Sequence, residues 1–170
     1  MIYYIYHIPM RFICLLILIV IPLWAIIYRW LDNASHRFAK TVNFILFVMA
    51  VGGVIYATLI NRENKDYSVN LVPFQSFVAA KSEFDIYRSM LMNVFLFVPF
   101  GLTCPRVFPS RLKKSPILIT VASAMIMTVI IEFLQYKLSI GQCETDDVIF
   151  NTVGAMLGSL SYIPEVFRND

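Results

Sequence analysis

The sequence predicts an all-α integral membrane protein: a helical bundle of about five transmembrane helices, with an amphipathic segment in the membrane interface between the second and third. Hydrophobic residues make up 59% of the 170 positions and charged residues only 15%, whereas soluble domains have roughly 45–50% apolar and 25% charged residues. The apolar residues are concentrated in runs whose length suits a bilayer. A soluble fold would lack the polar residues to cover its surface, so we expect a single membrane domain over residues 1–170.

The first two predicted spans cover residues 12–28 and 42–60, separated by a charged linker at 29–41. A basic residue precedes the first run, as in a signal peptide. No small-residue cleavage site follows that run, so we expect a retained span. Gly52 and Gly53 in the middle of the second run permit close packing of another helix.

A polar connection at residues 61–89 contains the predicted interfacial segment. Pro73 restricts the residue before it to an extended conformation. Phe74, Phe77 and Val78 then recur at helical spacing, which indicates a short amphipathic helix lying in the interface. A direct role in a binding site is the alternative. A mixed charged patch, expected to be solvated, follows: Lys81, Glu83, Asp85 and Arg88.

The third predicted span, residues 89–104, is short and contains Pro99 and Gly101. Asn93 and Gly101 lie on one helical face, and an asparagine in such a segment faces protein or water rather than lipid. Proline removes a helical hydrogen bond, which membrane helices tolerate where neighbours satisfy the freed groups. The segment is either a tilted span, which we favour, or a re-entrant one.

The fourth and fifth predicted spans cover residues 116–136 and 148–163. The short connection before the fourth span contains only basic charges, which indicates the cytoplasmic side of the membrane. Five spans then place the N-terminus outside, the C-terminus in the cytoplasm, and residues 61–89 and 144–147 outside. The basic residues of that connection are Arg106, Arg111, Lys113 and Lys114.

Polar residues around the end of the fourth span form the candidate site. Placing carboxylate and amide side chains in or beside a bilayer costs free energy. Because this chain is so apolar, we expect the polar side chains that it keeps there to have a function. Carboxylates with an asparagine could hold a hard cation or act as general acid and base. The candidate residues are Glu132, Gln135, Glu144, Asp146, Asp147 and Asn151, with Asn93 from the third span.

A structural role is the alternative for the same residues. Asp146 or Asp147 would cap the fifth helix and complement its dipole. Glu132 would reach the interface by extending its side chain along the helix, and Asn151 would bond across helices. The predicted packing positions are Gly154, Gly158, Pro99 and Gly101.

Charge and motifs exclude several classes of protein. The net charge is only +3 and no basic run with interleaved aromatics occurs, so we expect no nucleic-acid partner. Cys14, Cys104 and Cys143 form no CxxC pair, which argues against a disulfide framework or a zinc site. The sequence assigns no metal ligand, no catalytic residue, no cofactor and no oligomeric state.

Four stretches together resemble the signature blocks of the VanZ-like family, in the family's order and over about residues 40–163. The blocks are NLVPF at 70–74, NVFLFVPFG at 93–101, EFLQ at 132–135 and ETDDVIFNTVGAMLG at 144–158. Many members of that family carry an arginine between the last two blocks. This chain has none there, so Lys137 or Gln142 would have to bind any anion.

The resemblance implies a small multi-pass protein of the bacterial plasma membrane and cell envelope. The family's founding member is associated with low-level resistance to teicoplanin, a glycopeptide antibiotic. No reaction is implied, so three functions stay open. The protein would reduce antibiotic action by engaging a lipid-linked wall precursor or an anionic lipid at the outer face. Alternatively it would be a membrane enzyme acting on a lipid phosphate or glycan, or an assembly partner that uses its glycine face. Membrane lipids are expected partners in each case.

Overall fold

The computed structural model describes residues 10–60, 69–79, 84–107, 116–140 and 143–169, and most of them are helical. The helices are α1 (Met10–Ala34), α2 (His36–Ile55), α3 (Gln75–Ala79), α4 (Phe84–Thr103), α5 (Pro116–Leu138), α6 (Thr145–Ser159) and α7 (Ile163–Asn169). A π-helical turn, Tyr56–Ile60, extends α2, and 3-10 turns at Cys104–Arg106 and Leu160–Tyr162 follow α4 and α6. Two short strands complete the fold: β1 (Val69–Asn70) and β2 (Cys143–Glu144).

The predicted helical membrane bundle is confirmed, because four helical stretches are long and apolar enough to cross a membrane: Cys14–Ala34, His36–Ile60, Ile86–Arg106 and Pro116–Leu138. α6 is shorter and packs against α4 and α5. Its 15 residues extend about 22 Å at a rise of 1.5 Å per residue, less than the roughly 30 Å of the hydrocarbon core. α6 and the 3-10 turn Leu160–Tyr162 that follows it together cover most of the fifth predicted span, residues 148–163.

The connection between α1 and α2 is one residue, Ser35, rather than the predicted linker at 29–41. The Ser35 backbone is extended, and its Oγ accepts a hydrogen bond from the Phe38 N–H at 3.4 Å, as a helix N-cap does. Across the junction, His36 Nδ1 lies 2.5 Å from Asp32 Oδ1. The linker prediction was wrong because charged residues can continue a helix beyond the apolar run that marks the span.

α4 is one continuous helix that connects the two ends of the bundle, so the re-entrant alternative is wrong. We call one end the strand end; it contains α3 and the parallel pair of β1 and β2, with Val69 opposite Cys143. We call the other the Arg106 end; there Trp24 Nε1 donates to the Leu102 carbonyl at 3.2 Å. Successive long helices alternate in direction between these two ends.

The backbones of α4 and α6 approach each other closely at glycines, and this is the most extensive helix contact among the described residues. A Cβ placed on Gly154 would overlap the backbone carbonyl of Val94, and one on Gly158 would overlap that of Val98. From the other side, a Cβ on Gly101 would overlap the α6 backbone. Small residues at these three positions let two helices pack in a setting where lipid offers no hydrophobic driving force.

Arg106 is buried where α4 meets the C-terminal turns, although the sequence placed it in an exposed basic connection. Its NH1 donates to the Leu102 carbonyl at 2.6 Å, and its NH2 donates to the Ser161 carbonyl at 3.0 Å. Its Nε donates to Glu165 Oε1 at 2.9 Å, and the guanidinium lies 4.6 Å from the centre of the Tyr28 ring. Arg106 therefore joins α1, α4 and α7. The other predicted basic residues of that connection, Arg111, Lys113 and Lys114, lie outside the described residues.

Candidate functional site

Asp146 binds a segment that lies 70 to 72 positions earlier in the chain. Its Oδ1 accepts the Phe74 N–H at 2.5 Å, and its Oδ2 accepts the Ser76 N–H at 2.7 Å. The side chain thus caps the start of α3 and holds Phe74 at a positive φ of 62°. The predicted capping of its own helix is wrong: Glu144 occupies the N-cap of α6 and makes no side-chain capping bond.

The segment bound by Asp146 exposes apolar side chains. Leu71, Val72, Phe74 and Val78 are all more than half exposed, and the Phe77 ring packs against the Phe150 ring of α6. Exposed apolar side chains in α3 and in the segment just before it suit the predicted position in the membrane interface. Lys81 and Glu83, from the predicted charged patch, lie outside the described residues.

Removal of the Asp146 carboxylate is expected to release α3 from the strand end. Hydrogen bonds to charged groups contribute about 1.5–3 kcal/mol each, so Asp146→Ala should speed amide exchange in the peptide containing Phe74 and Ser76 by about tenfold or more. Hydrogen–deuterium exchange with mass spectrometry measures this. Asn70→Ala is the control, because it removes only a 3.3 Å bond to the Val72 N–H. Equal exchange in the two variants would contradict the assignment.

Glu132 lies inside the bundle and does not extend to the interface. It is only 4% exposed, and its Oε2 accepts the Glu144 N–H at 3.0 Å. This bond connects the end of α5 to β2. The predicted extension of the Glu132 side chain along its helix towards water is therefore wrong, and the group belongs to the polar interior of the strand end.

Three amide side chains connect the helices at and below the strand end. Asn93 Nδ2 donates to Asp147 Oδ1 at 2.5 Å, which joins α4 to α6. The other two bonds involve threonines that sequence reasoning missed. Asn151 Nδ2 donates to Thr128 Oγ1 at 2.8 Å, and Gln135 Nε2 donates to the Thr58 carbonyl at 2.9 Å in the π-helical turn. The sequence could have indicated Thr128 as a site residue, because its spacing places it on the same face of α5 as Glu132 and Gln135.

The carboxylates of the strand end serve different partners. Asp146 accepts from α3, Asp147 from Asn93, and Glu132 from β2. Within the described ranges, no group of three or more His, Cys, Asp and Glu residues could hold a metal ion.

Burial raises the pKa of the Cys143 thiol above its ordinary value, and the Glu132, Asp147 and Glu144 carboxylates raise that pKa further. The thiol is thus less nucleophilic at neutral pH than a free cysteine.

A groove of about 700 Å³ lies between α1, α2 and α4. Its walls are mainly apolar, and Asn93 and Thr58 line it towards the strand end. Sequence reasoning missed this groove because three separate helices form it. Two residues that line the groove, Gly53 and Pro99, could have indicated it in the sequence. Glycine has no side chain to fill the space beside its helix, and proline leaves the Phe95 carbonyl without its helical hydrogen-bond donor.

The fold and the site together define a multi-pass helical membrane protein with a polar cluster at one end of its bundle, beside an apolar groove. The family model of VanZ/LLP1 matches residues 10–168, so the chain belongs to this family. The match includes the first helix, outside residues 40–163 that carried the resemblance. The chain is 35% identical to "Protein VanZ" of Enterococcus faecium over 95 residues, which are 56% of this chain and 52% of that protein. The match thus spans about half the length of this curated relative. No solved structure matches the chain.

Proposed function

We propose that this protein binds a membrane lipid, with the hydrocarbon chain in the groove and the headgroup at the polar cluster of the strand end. The lipid would be a lipid-linked wall precursor or an anionic lipid of the bacterial plasma membrane. By engaging it at the outer face, the protein would lower the action of teicoplanin-type antibiotics. One observation carries the proposal: Asn93 lines the groove and also donates to Asp147.

The dimensions and lining of the groove suit a lipid chain. Ligand sites commonly have about 300–1,000 Å³ and mostly apolar walls with a few polar groups. From Asn93 to Thr103, both lining residues, α4 advances roughly 15 Å at 1.5 Å per residue. An occupant of this length would have its apolar part along α4 and its polar part beside Asn93.

The orientation of the chain in the membrane is part of the proposal. The predicted cytoplasmic connection lies at the Arg106 end, so the strand end would face outwards, with the N-terminus outside and the C-terminus in the cytoplasm. Wall-directed antibiotics act on that outer face. The headgroup of an outer-leaflet lipid would then reach the polar cluster without crossing the bilayer.

The two alternative functions have less support from the described geometry. An enzyme that uses a carboxylate–metal centre needs ligands that converge on one ion, whereas these carboxylates bind separate partners. An assembly partner was expected to use the glycine face of α6. Gly154 and Gly158 are buried against α4, so that face is already occupied within the chain.

Filling the groove is expected to abolish any protection against teicoplanin. Gly53 lines the groove, and a Cβ there would meet nothing within 4 Å, so Gly53→Phe should occupy the lipid site without a backbone clash. Gly52→Phe is the matched control, since Gly52 has the same free space but does not line the groove. The measurement is teicoplanin susceptibility of a sensitive bacterial host that expresses each chain.

Wild type and Gly52→Phe should reduce susceptibility, and Gly53→Phe should not. Quantification of each protein in the membrane fraction separates lost function from lost expression. No change in susceptibility with the wild-type chain would contradict the resistance role. Equal protection by both phenylalanine variants would contradict the role of the groove.

A further inference from the structure

We propose that the outer surface of α2 binds an anionic phospholipid of the surrounding bilayer at the Arg106 end. The phosphate of the headgroup contacts Arg37 and Lys40, and the acyl chains lie along Phe44 and Val48. We call the surface formed by these four residues the Arg37 face. It is separate from the groove, so the inference goes beyond the proposed function and does not depend on it.

Helical spacing places the Arg37 face on the side of α2 that is turned away from the groove. Phe44 and Val48 follow Arg37 by seven and eleven residues, which is close to two and three full turns at 3.6 residues per turn. Leu46, which lines the groove, follows Arg37 by nine residues, or two and a half turns. A lipid on the Arg37 face therefore does not enter the groove.

The two cations of the Arg37 face have no anionic partner within the described part of the chain. Both side chains are exposed, and neither forms an ion pair or a side-chain hydrogen bond with another described residue. The two described acids at this end already have cationic partners, since Asp32 lies against His36 and Glu165 against Arg106. The positive charge of the Arg37 face is therefore available to a ligand.

The charge of the whole sequence shows the same imbalance between the two ends. The segments that adjoin the Arg106 end, residues 29–40, 104–115 and 160–170, contain eight basic and three acidic residues. The segments that adjoin the strand end, residues 1–11, 61–89 and 132–147, contain six basic and eight acidic residues. Each Lys or Arg near a bilayer surface strengthens attraction to anionic lipids by about fivefold, so such lipids favour the Arg106 end.

The position of Arg37 does not serve the stability of α2 itself. Arg37 lies in the first turn of that helix, where the helix dipole favours acidic side chains, and this turn contains none. On the other side of the Ser35 junction the Trp30 ring is 70% exposed, as is typical of tryptophans at the level of lipid headgroups. The cations of the Arg37 face thus lie where a lipid phosphate is within reach.

The apolar part of the Arg37 face indicates a lipid rather than a free anion. Phe44 and Val48 are both more than half exposed, directly below the two cations on the same side of α2. From Arg37 to Val48 the helix advances about 16 Å, close to the roughly 15 Å that one leaflet contributes to the hydrocarbon core. The surface therefore matches one phospholipid, with its phosphate at the cations and its chains along the helix.

The test compares two lipids that have the same acyl chains, bound to the purified full-length protein and measured by native mass spectrometry. Phosphatidylglycerol is anionic, whereas phosphatidylcholine has no net charge. We expect the wild type to bind phosphatidylglycerol about tenfold more tightly or better. The preference should decrease as the ammonium acetate concentration rises, because exposed charges are screened by salt. Soluble glycerophosphoglycerol, which has no acyl chain, should not bind at the same concentration.

Three variants locate the preference for the anionic lipid. Arg37→Gln combined with Lys40→Gln should bind the two lipids about equally. Arg11→Gln combined with Lys137→Gln is the matched control, because it removes two exposed cations from the strand end and should keep the preference. Gly53→Phe fills the groove on the other side of α2 and should keep the preference as well.

A preference for phosphatidylglycerol that persists in the Arg37→Gln, Lys40→Gln protein would overturn the inference. Equal loss in the strand-end control would overturn it too, since net charge and not the Arg37 face would then govern binding. Loss in Gly53→Phe alone would assign the anionic lipid to the groove, in favour of the proposed function and against the Arg37 face. Binding of glycerophosphoglycerol as tightly as phosphatidylglycerol would show a site for a free anion instead of a lipid.

Discussion

Gly154→Val is expected to prevent formation of a stable bundle. The Cβ of the new side chain would overlap the Val94 carbonyl. Because the clash is with backbone, it can be relieved only if α4 and α6 move apart. Overpacking a core costs typically about 1–3 kcal/mol, and more where backbone must move. We therefore expect most of the protein to aggregate on extraction from the membrane and the remainder to unfold at a lower temperature.

Size-exclusion profiles and thermal unfolding in detergent measure this effect, with Gly52→Val as the control. The control adds the same side chain to a helix position where a Cβ meets nothing within 4 Å, and valine has a higher helix propensity than glycine. The control should match the wild type or exceed its stability. Similar yields and unfolding temperatures for both variants would show that close approach of α4 and α6 is not required.

Arg106→Lys is expected to destabilise the Arg106 end although it preserves the charge. Lysine lacks the planar fork that reaches Leu102, Ser161 and Glu165 together. Loss of these bonds leaves buried acceptors unsatisfied, at a cost on the order of 3 kcal/mol. The same substitution at the exposed Arg37 should have little effect.

Thermal unfolding of the two variants in the same detergent gives the comparison. A second readout is limited proteolysis, since α7 should become cleavable in Arg106→Lys before the rest of the chain does. If Arg106→Lys unfolds at the wild-type temperature and α7 stays protected, the buried network does not hold the C-terminal helix in place.

The class of the fold could be predicted because it depends on local composition. Long apolar runs must be helical in a bilayer, where each backbone donor and acceptor needs a partner within its own segment. This argument located the membrane helices from their apolar centres but not their ends. It failed between α1 and α2, where charged residues continue the helix beyond the apolar run as far as Ala34.

The residues of the candidate site could be selected, but their partners could not. Asp146 looked like the cap of the helix that contains it, because capping is usually local. Its actual partners, the Phe74 and Ser76 amides, are brought to it by the pairing of two-residue strands that carry almost no sequence signal. Arg106 was misjudged for a related reason: its burial depends on Ser161 and Glu165, which are distant in the sequence.

Native mass spectrometry of lipids that remain bound after mild purification tests the central claim most directly. The wild-type chain, Gly52→Phe and Gly53→Phe would be purified side by side from the same membranes. The groove should retain a lipid in the wild type and in Gly52→Phe and lose it in Gly53→Phe, with all three proteins equally folded. Lipid retained equally by Gly53→Phe would contradict the claim that the groove between α1, α2 and α4 is the binding site.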